Sequence, residues 1–228
     1  MVPTYLLLMG VQGAGKGTQA DVLKRTLGIP HVSTGDIFRA MKTLDTPRAR
    51  EIQAIMNSGQ LISDEITNEL VRDRLHEADA RNGVLLDGYP RTRVQAEALD
   101  EMLSDMGCKV TAALNLHLSK EIAVKRITDR WLCSKDQNHV YNLTTKPPQK
   151  QGICDIDGAP LMQRKDDTPE AAIVRISAYF DNTAPLLDYY RERGLLNEVD
   201  ANQPVDKVTA DLMKAIHQAQ MESAGAQS

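Results

Sequence analysis

Apolar and polar positions along this chain follow two periods in alternation. Short, nearly unbroken apolar runs such as TYLLLM at 4–9, VLL at 84–86 and VTAALNLH at 110–117 are separated by longer stretches with an apolar residue every three or four positions. Runs this short, bounded by Gly, Pro or Asn, suit strands buried on both faces, whereas the three-to-four spacing suits helices with one buried face. The pattern predicts strands over 4–9, 31–33, 84–86, 110–117 and 195–199. It predicts helices over 16–27, 47–57, 64–79, 92–106, 119–130, 169–193 and 205–219. Thr168-Pro169-Glu170 is a strong start signal, a capping hydroxyl followed by proline at the first helical position. Strands alternating with helices predict an α/β chain with a parallel sheet covered on both faces.

One stretch breaks the rhythm. Residues 131–167 are rich in Gly, Pro, Asp, Lys and Gln, include Pro147-Pro148, and sustain no helical period. That is too long for an ordinary loop, so an inserted lobe with its own small fold is expected. A second, smaller insertion over 33–62 is expected to hold short helices between the second and third strands. There is no internal repeat, and the small, polar tail 221–228 is expected to fray.

Composition narrows the function classes. At 228 residues and 42% hydrophobic, the chain suits one main domain carrying inserted lobes. A net charge of −4 argues against nonspecific nucleic-acid binding, which needs a broad basic surface. No apolar stretch approaches the ~20 residues that span a bilayer, and no secretory leader is visible ahead of the first strand. Three cysteines do not make a disulfide framework, so a reducing cytoplasm is the expected compartment.

Candidate chemistry begins at GVQGAGKGT, Gly10 to Thr18, between the first apolar run and the first helix. A glycine-rich strand-to-helix turn aims backbone N–H groups at one point, the helix N-terminus adds partial positive charge, and Lys16 adds a full one. This is a cradle for the phosphates of a nucleoside triphosphate, although Gly17 stands where the usual motif has Ser or Thr. STGD follows the second strand with Arg39 one turn later, and LLDGYPRT places Asp87 at a strand end before Arg91. In a parallel sheet these carboxyl ends share the ligand-binding edge, so Arg39 and Arg91 are expected to converge on a second anionic group. Arg126, Arg130, Arg164 and Arg175 bracket the larger insertion. No Ser/His/Asp set is evident, and His31, His76, His117 and His217 read as ordinary core-edge or surface residues.

Taken together, GVQGAGKGT, STGD with Arg39, LLDGYPRT with Gln95, and QRKDD near Arg175 resemble the adenylate kinases, specifically the long-lid bacterial type, from about Pro3 to Ile216. That family also has glycine after the lysine. The resemblance implies a P-loop NTPase-like fold: a five-stranded parallel sheet flanked by helices, with two inserted lobes. The core would comprise 1–32, 63–128 and 168–220, with an NMP-binding lobe at 33–62 and a lid at 129–167. It implies reversible phosphoryl transfer from Mg-ATP to AMP, giving two ADP. Lys16, Arg91, Arg130, Arg164 and Arg175 would be the catalytic cations. ATP would lie against Gly13, Ala14, Gly15, Lys16, Gly17, Thr18, Arg126, Arg130, Val140, Tyr141 and Gln203. AMP would lie against Thr34, Arg39, Gln60, Leu61, Ile62, Gly88, Tyr89, Pro90, Arg91 and Gln95, with Arg164 and Arg175 reaching its phosphate on closure. Asp87 would order the water shell of Mg²⁺. A monomer with moving lids, without nucleic-acid or membrane partners, is implied.

Within the larger insertion, Cys133 and Cys154 each open a Cys-x-x-Asp, and His139 follows Cys133. A small irregular lobe needs stability from elsewhere, and a structural Zn²⁺ is one solution. The preferred ligands are Cys133, His139, Cys154 and Asp157, with Asp136 as substitute for His139, because imidazole suits zinc beside two thiolates. A metal-free polar cluster is the alternative, since related kinases use either, and a Cys133–Cys154 disulfide suits a reducing compartment poorly. Cys108 is expected to pack as a small apolar residue. Two other functions stay open on sequence grounds: a kinase for UMP, CMP or GMP, and a nucleotide-sensing scaffold without catalysis.

Overall fold

The computed structural model describes residues 3–41, 46–58, 60–164 and 167–225. Its centre is a five-stranded, all-parallel sheet in the order β2-β3-β1-β4-β8. The strands are β1 Thr4–Met9, β2 His31–Ser33, β3 Gly83–Asp87, β4 Val110–His117 and β8 Leu196–Asp200. Alternate side chains of β1 serve opposite faces: Leu6 and Leu8 join one apolar cluster, Tyr5, Leu7 and Met9 the other. Such double-sided burial explains why the run carries no charged position and is apolar from Leu6 to Met9. The first cluster packs against α1 Lys16–Leu27, α6 Lys120–Thr128, α7 Pro169–Ala178 and α9 Val205–Gly225. The second packs against α4 Asp64–Leu75, α5 Arg93–Asp105 and α8 Leu186–Arg191.

Between β2 and α4 lie α2 Thr34–Ala40 and α3 Pro47–Ser58, which share a small apolar cluster of Phe38, Ile52 and Ile62. The larger insertion forms an antiparallel sheet, β6-β5-β7, from β5 Arg130–Cys133, β6 Val140–Asn142 and β7 Leu161–Met162. The smaller insertion springs from the carboxyl end of β2, and the larger one follows α6.

Three expected elements differ. The helix foreseen over 169–193 breaks into α7, a π turn at Tyr179–Thr183, and α8. Pro185 lacks an N–H and its ring crowds the carbonyl one turn back, so the ladder loosens there. The helix foreseen over 64–79 stops at Leu75, and a 3₁₀ turn at Ala78–Asn82 follows. Arg74 straddles that break, pairing both guanidinium nitrogens with Asp79 at 2.8 and 2.7 Å. At the carboxyl end, α9 runs through Gly225 rather than stopping near 219, because Gln218, Ala219, Gln220, Met221 and Glu222 are all good helix formers. The tail expected to fray from 221 is therefore helical to 225, and 226–228 lie outside the described residues.

Candidate active site

The phosphate loop is shaped by backbone that side chains disfavour. Gly13 holds φ +87°, and a Cβ there would lie 2.9 Å from the Ala123 carbonyl oxygen, so only glycine lets the loop seat against α6. Gly15 caps α1 without any side-chain acceptor, leaving the first turn of the helix to bind an external anion. Lys16 folds back across the loop, its Nζ donating to the Gly10 carbonyl at 2.8 Å and the Val11 carbonyl at 3.3 Å. Desolvation pushes its ammonium below the ordinary lysine range; Asp87 opposes that shift, and Arg91 and Arg130 add to it.

Asp87 ends β3 facing this lysine. Desolvation raises its carboxyl, but His31, Lys16 and Arg91 outweigh that and hold it below the ordinary carboxylate range. His31 Nε2 is 3.5 Å from Asp87 Oδ2, so this histidine belongs to the cavity wall rather than to an ordinary core edge. The register explains it: Ser33 pairs with Asp87 across β2 and β3, which puts His31 diagonally opposite on the same face.

Beyond Asp87, the turn Gly88-Tyr89-Pro90-Arg91 runs into α5. Gly88 holds φ +78°, and a Cβ there would meet Arg91 Nη2 at 2.9 Å and Thr34 Oγ1 at 3.0 Å. Its carbonyl instead accepts from Thr34 Oγ1 at 2.9 Å and from Arg91 Nε at 2.8 Å, tying the start of the smaller insertion to the core. Tyr89 is buried, its hydroxyl donating to Asn68 Oδ1 at 2.8 Å. Gln95 is 2% exposed, with Oε1 accepting from the Arg91 N–H at 2.7 Å.

The arginines expected to bracket the larger insertion do meet. Arg130 forms a two-pronged pair with Asp167, Nε to Oδ2 at 2.9 Å and Nη2 to Oδ1 at 2.5 Å. Arg175 Nη2 reaches the same Oδ1 at 3.2 Å, and the Asp167 side chain is wholly buried. Arg126 Nη1 donates to the Ala201 carbonyl at 3.1 Å. Arg39 pairs with Asp36. Arg164 is drawn down to about 10, first by desolvation and then by the charges of Arg39 and Arg130. The Nε atoms of Arg39 and Arg164 are both buried without a hydrogen-bond partner. Crowded, desolvated guanidinium groups repel one another until a polyanion comes between them. Lys165 and Asp166 of the QRKDD string lie outside the described residues.

These groups surround a cavity of about 980 Å³, with a side chamber of about 50 Å³ between α2 and α5. The larger volume is at the upper end of the ~300–1,000 Å³ of ordinary small-ligand pockets. Every residue from Gly13 to Thr18, together with Arg39, Gln60, Leu61, Asp87, Gly88, Tyr89, Pro90, Arg91, Arg126, Arg130, Val140, Tyr141, Arg164, Arg175 and Gln203, lines the cavity. Thr34, Ile62 and Gln95 line the side chamber. Among the described residues the large cavity has Lys16, Lys146 and six arginines against three carboxylates, although the whole chain carries −4. Sequence reasoning missed Gln12, His31, Asp36, Asn138 and Lys146 as lining residues, and it gave no part to the buried Asp167.

The larger insertion holds a separate cluster. One ligand atom each from Cys133, His139, Cys154 and Asp157 lies within 4.8 Å of all the others. Cys133 Sγ is 3.2 Å from Asp157 Oδ2, Cys154 Sγ is 3.5 Å from His139 Nδ1, and His139 Nδ1 is 3.2 Å from Asp157 Oδ2. The N–H groups of Lys135 and Asp136 point at Cys133 Sγ, at 3.4 and 3.5 Å. Asp136 sits outside the cluster, 3.5 Å from the other ring nitrogen of His139. Asp157 is drawn down to about 2, chiefly by the Ala159 N–H. Cys133 and Cys154 are free thiols.

Comparison with known proteins converges on one family. A sequence model described as adenylate kinase matches residues 8–195. The adenylate kinase of Streptomyces avermitilis is 45% identical over 211 residues, 92% of this chain and 96% of that protein. Those of Symbiobacterium thermophilum and Listeria innocua are 45% and 44% identical, each across at least 92% of this chain and 98% of the relative. Agreement of that extent, along nearly whole chains, means that this chain belongs to the adenylate kinase family and is a nucleoside monophosphate kinase.

Proposed function

We propose that the cavity holds ATP and AMP tail to tail and passes the γ-phosphoryl group directly between them, ATP + AMP ⇌ 2 ADP. The observation that carries this reading is the set of cations Lys16, Arg91, Arg130, Arg164 and Arg175 lining one cavity with the glycine loop, with Lys16, Arg91 and Arg164 desolvated there. Phosphoryl transfer spreads charge over three equatorial oxygens with nucleophile and leaving group in line, so fixed cations and positioning supply most of the acceleration. The loop N–H groups from Gly13 to Thr18 and Lys16 hold the ATP phosphates. Arg126, Val140, Tyr141 and Gln203 hold its nucleoside end. Thr34, Arg39, Gln60, Leu61, Ile62, Gly88 to Arg91 and Gln95 hold AMP. Arg164 and Arg175 serve both phosphate chains, relieving the repulsion among them.

Mg²⁺ enters with ATP as part of the substrate. With glycine at 17, the position after Lys16 offers it no hydroxyl, and the Asp87 carboxylate, kept anionic, fits a water-mediated role. In the lid, two thiols, an imidazole and a carboxylate gathered within 4.8 Å fit a structural Zn²⁺. Cys133, His139, Cys154 and Asp157 would hold it, and bound zinc supplies a crosslink between the two Cys-x-x-Asp turns. Val140, Tyr141 and the insertion's arginines line the same cavity as the loop, which supports a lid that excludes water, the competing acceptor. The core, NMP-binding and lid divisions at 33–62 and 129–167 follow the same reading. We further infer a cytoplasmic monomer that balances adenine nucleotides and has no nucleic-acid or membrane partner. Among the described residues no helix is long and apolar enough to cross a membrane.

The test is initial rates of transfer from Mg-ATP to AMP, UMP, CMP and GMP at equal concentrations. AMP is expected to be preferred by at least tenfold; preference for another base would overturn the acceptor assignment.

A further inference from the structure

We propose that Asp64 is a positioning residue that decides which purine the acceptor site takes, by fixing the direction of the Gln95 carboxamide. The inference rests on the assignment of Gln95 to the acceptor base. Gln95 lines the small chamber between α2 and α5, and both ends of its amide are engaged. Its Oε1 accepts from the Arg91 backbone N–H at 2.7 Å, and its Nε2 donates to Asp64 Oδ1 at 2.8 Å. A main-chain N–H can only donate and an ionised carboxylate can only accept. Turning the amide over would set NH₂ against N–H and oxygen against carboxylate, so only one orientation is satisfied at both ends.

Asp64 is itself held. Thr92 Oγ1 donates to the same Oδ1 at 2.9 Å, while Thr92 caps α5 by accepting from the Gln95 N–H at 3.2 Å. The carboxylate thereby joins the first turn of α4 to the first turn of α5.

The fixed amide retains one lone pair on Oε1 and one N–H on Nε2. Adenine offers the complement side by side, an N6 amino donor next to the N1 acceptor. Hypoxanthine offers the inverse, a 6-oxo acceptor next to an N1–H donor. An amide free to turn would serve either base, whereas this one serves adenine and leaves hypoxanthine facing mismatched groups. Selectivity of this kind comes from polar groups that the wrong ligand leaves unpaired.

The experiment compares kcat/KM for AMP and IMP, with saturating Mg-ATP, in the full chain and its variants. Asp64→Asn offers Gln95 either an acceptor or a donor, so the AMP-over-IMP ratio is expected to fall roughly tenfold, through KM rather than kcat. Asp64→Glu, which keeps an acceptor-only group, is expected to retain the ratio. Thr92→Val loses the tie between the helices but leaves the Asp64–Gln95 bond, so it should lower the melting temperature without moving the ratio. An unchanged ratio in Asp64→Asn, or an equal fall in Thr92→Val, overturns the proposal. If Asp64→Asn does not fold, Asp64→Ser carries the same test with the same outcomes. Gln95→Ala separates the two readings. A collapsed ratio there beside an intact one in Asp64→Asn defeats the role of Asp64 alone, whereas an intact ratio in Gln95→Ala defeats the acceptor-base assignment and the proposal with it.

Discussion

The nucleotide-facing core and the lid reach order by different means. The core is a sheet sealed on both faces, with Leu6, Leu23, Leu85 and Leu114 on one side and Leu7, Leu86, Leu99 and Tyr190 on the other. Burial on that scale fixes the strand ends, and glycine then lets the loops between them carry their N–H groups inward. Among the described residues the lid buries Leu132, Cys133, Tyr141, Cys154 and Leu161 as its apolar set, and two of these are cysteines. Its shape depends on thiols, a histidine and a carboxylate held together, and on the Arg130–Asp167–Arg175 bridge at its root. On the proposed reading Lys16, Arg91 and Arg175 stand on the core, while Arg130 and Arg164 belong to the part that would close.

The sharpest way to break this contrast is Lys16→Met. It should lower kcat at least about a thousandfold while leaving the thermal melt by circular dichroism in place. Turnover within tenfold of the parent would place the main phosphate cation elsewhere. Arg91→Ala should cost roughly a hundredfold in kcat, again in a folded chain. Near-parental turnover would remove Arg91 from the mechanism.

Asp167→Ala tests the joint between the two regions. Removing a buried carboxylate takes the two-pronged partner from Arg130 and one partner from Arg175, so stability should fall by about 2–4 kcal/mol and kcat by roughly tenfold. Denaturant unfolding and steady-state rates read the two effects separately; a loss in only one of them would show that the bridge serves a single end.

The smallest effect on chemistry is expected in the lid cluster. Trp131 is the chain's only tryptophan and packs against that cluster, so its fluorescence reports on the lid alone. Chelation, or Cys133→Ser, should lower the midpoint of the fluorescence transition by roughly 10 °C and that of the core by much less. Purified protein should contain about one zinc per chain. Zinc-free protein with an unshifted lid transition would return the cluster to a metal-free polar set.

Much of this was legible in the sequence wherever one residue type had only one use. TYLLLM has no polar face, so it must be buried on both sides, and GVQGAGKGT has too many glycines for anything but a loop close to another backbone. Cys133, His139, Cys154 and Asp157 were legible by ligand chemistry, and the fold brings that set together while leaving Asp136 outside it. Other features depended on partners far along the chain. Asp167 looks like a surface acid until β5 and α7 place two arginines on it. His31 looks unremarkable until β2 pairs with β3 and sets it diagonally across from Asp87 on the same face. The break in the helix over 169–193 did carry a signal, Pro185, which the periodic apolar pattern on both sides of it concealed.

The central claim is that two nucleotides meet, phosphate to phosphate, where water cannot compete. Its most direct test is product stoichiometry: ADP and inorganic phosphate measured together as Mg-ATP is consumed in the presence of AMP. Two ADP per ATP, with negligible free phosphate, is the predicted result. Phosphate released at a rate comparable to ADP formation, or unaffected by AMP, would contradict it.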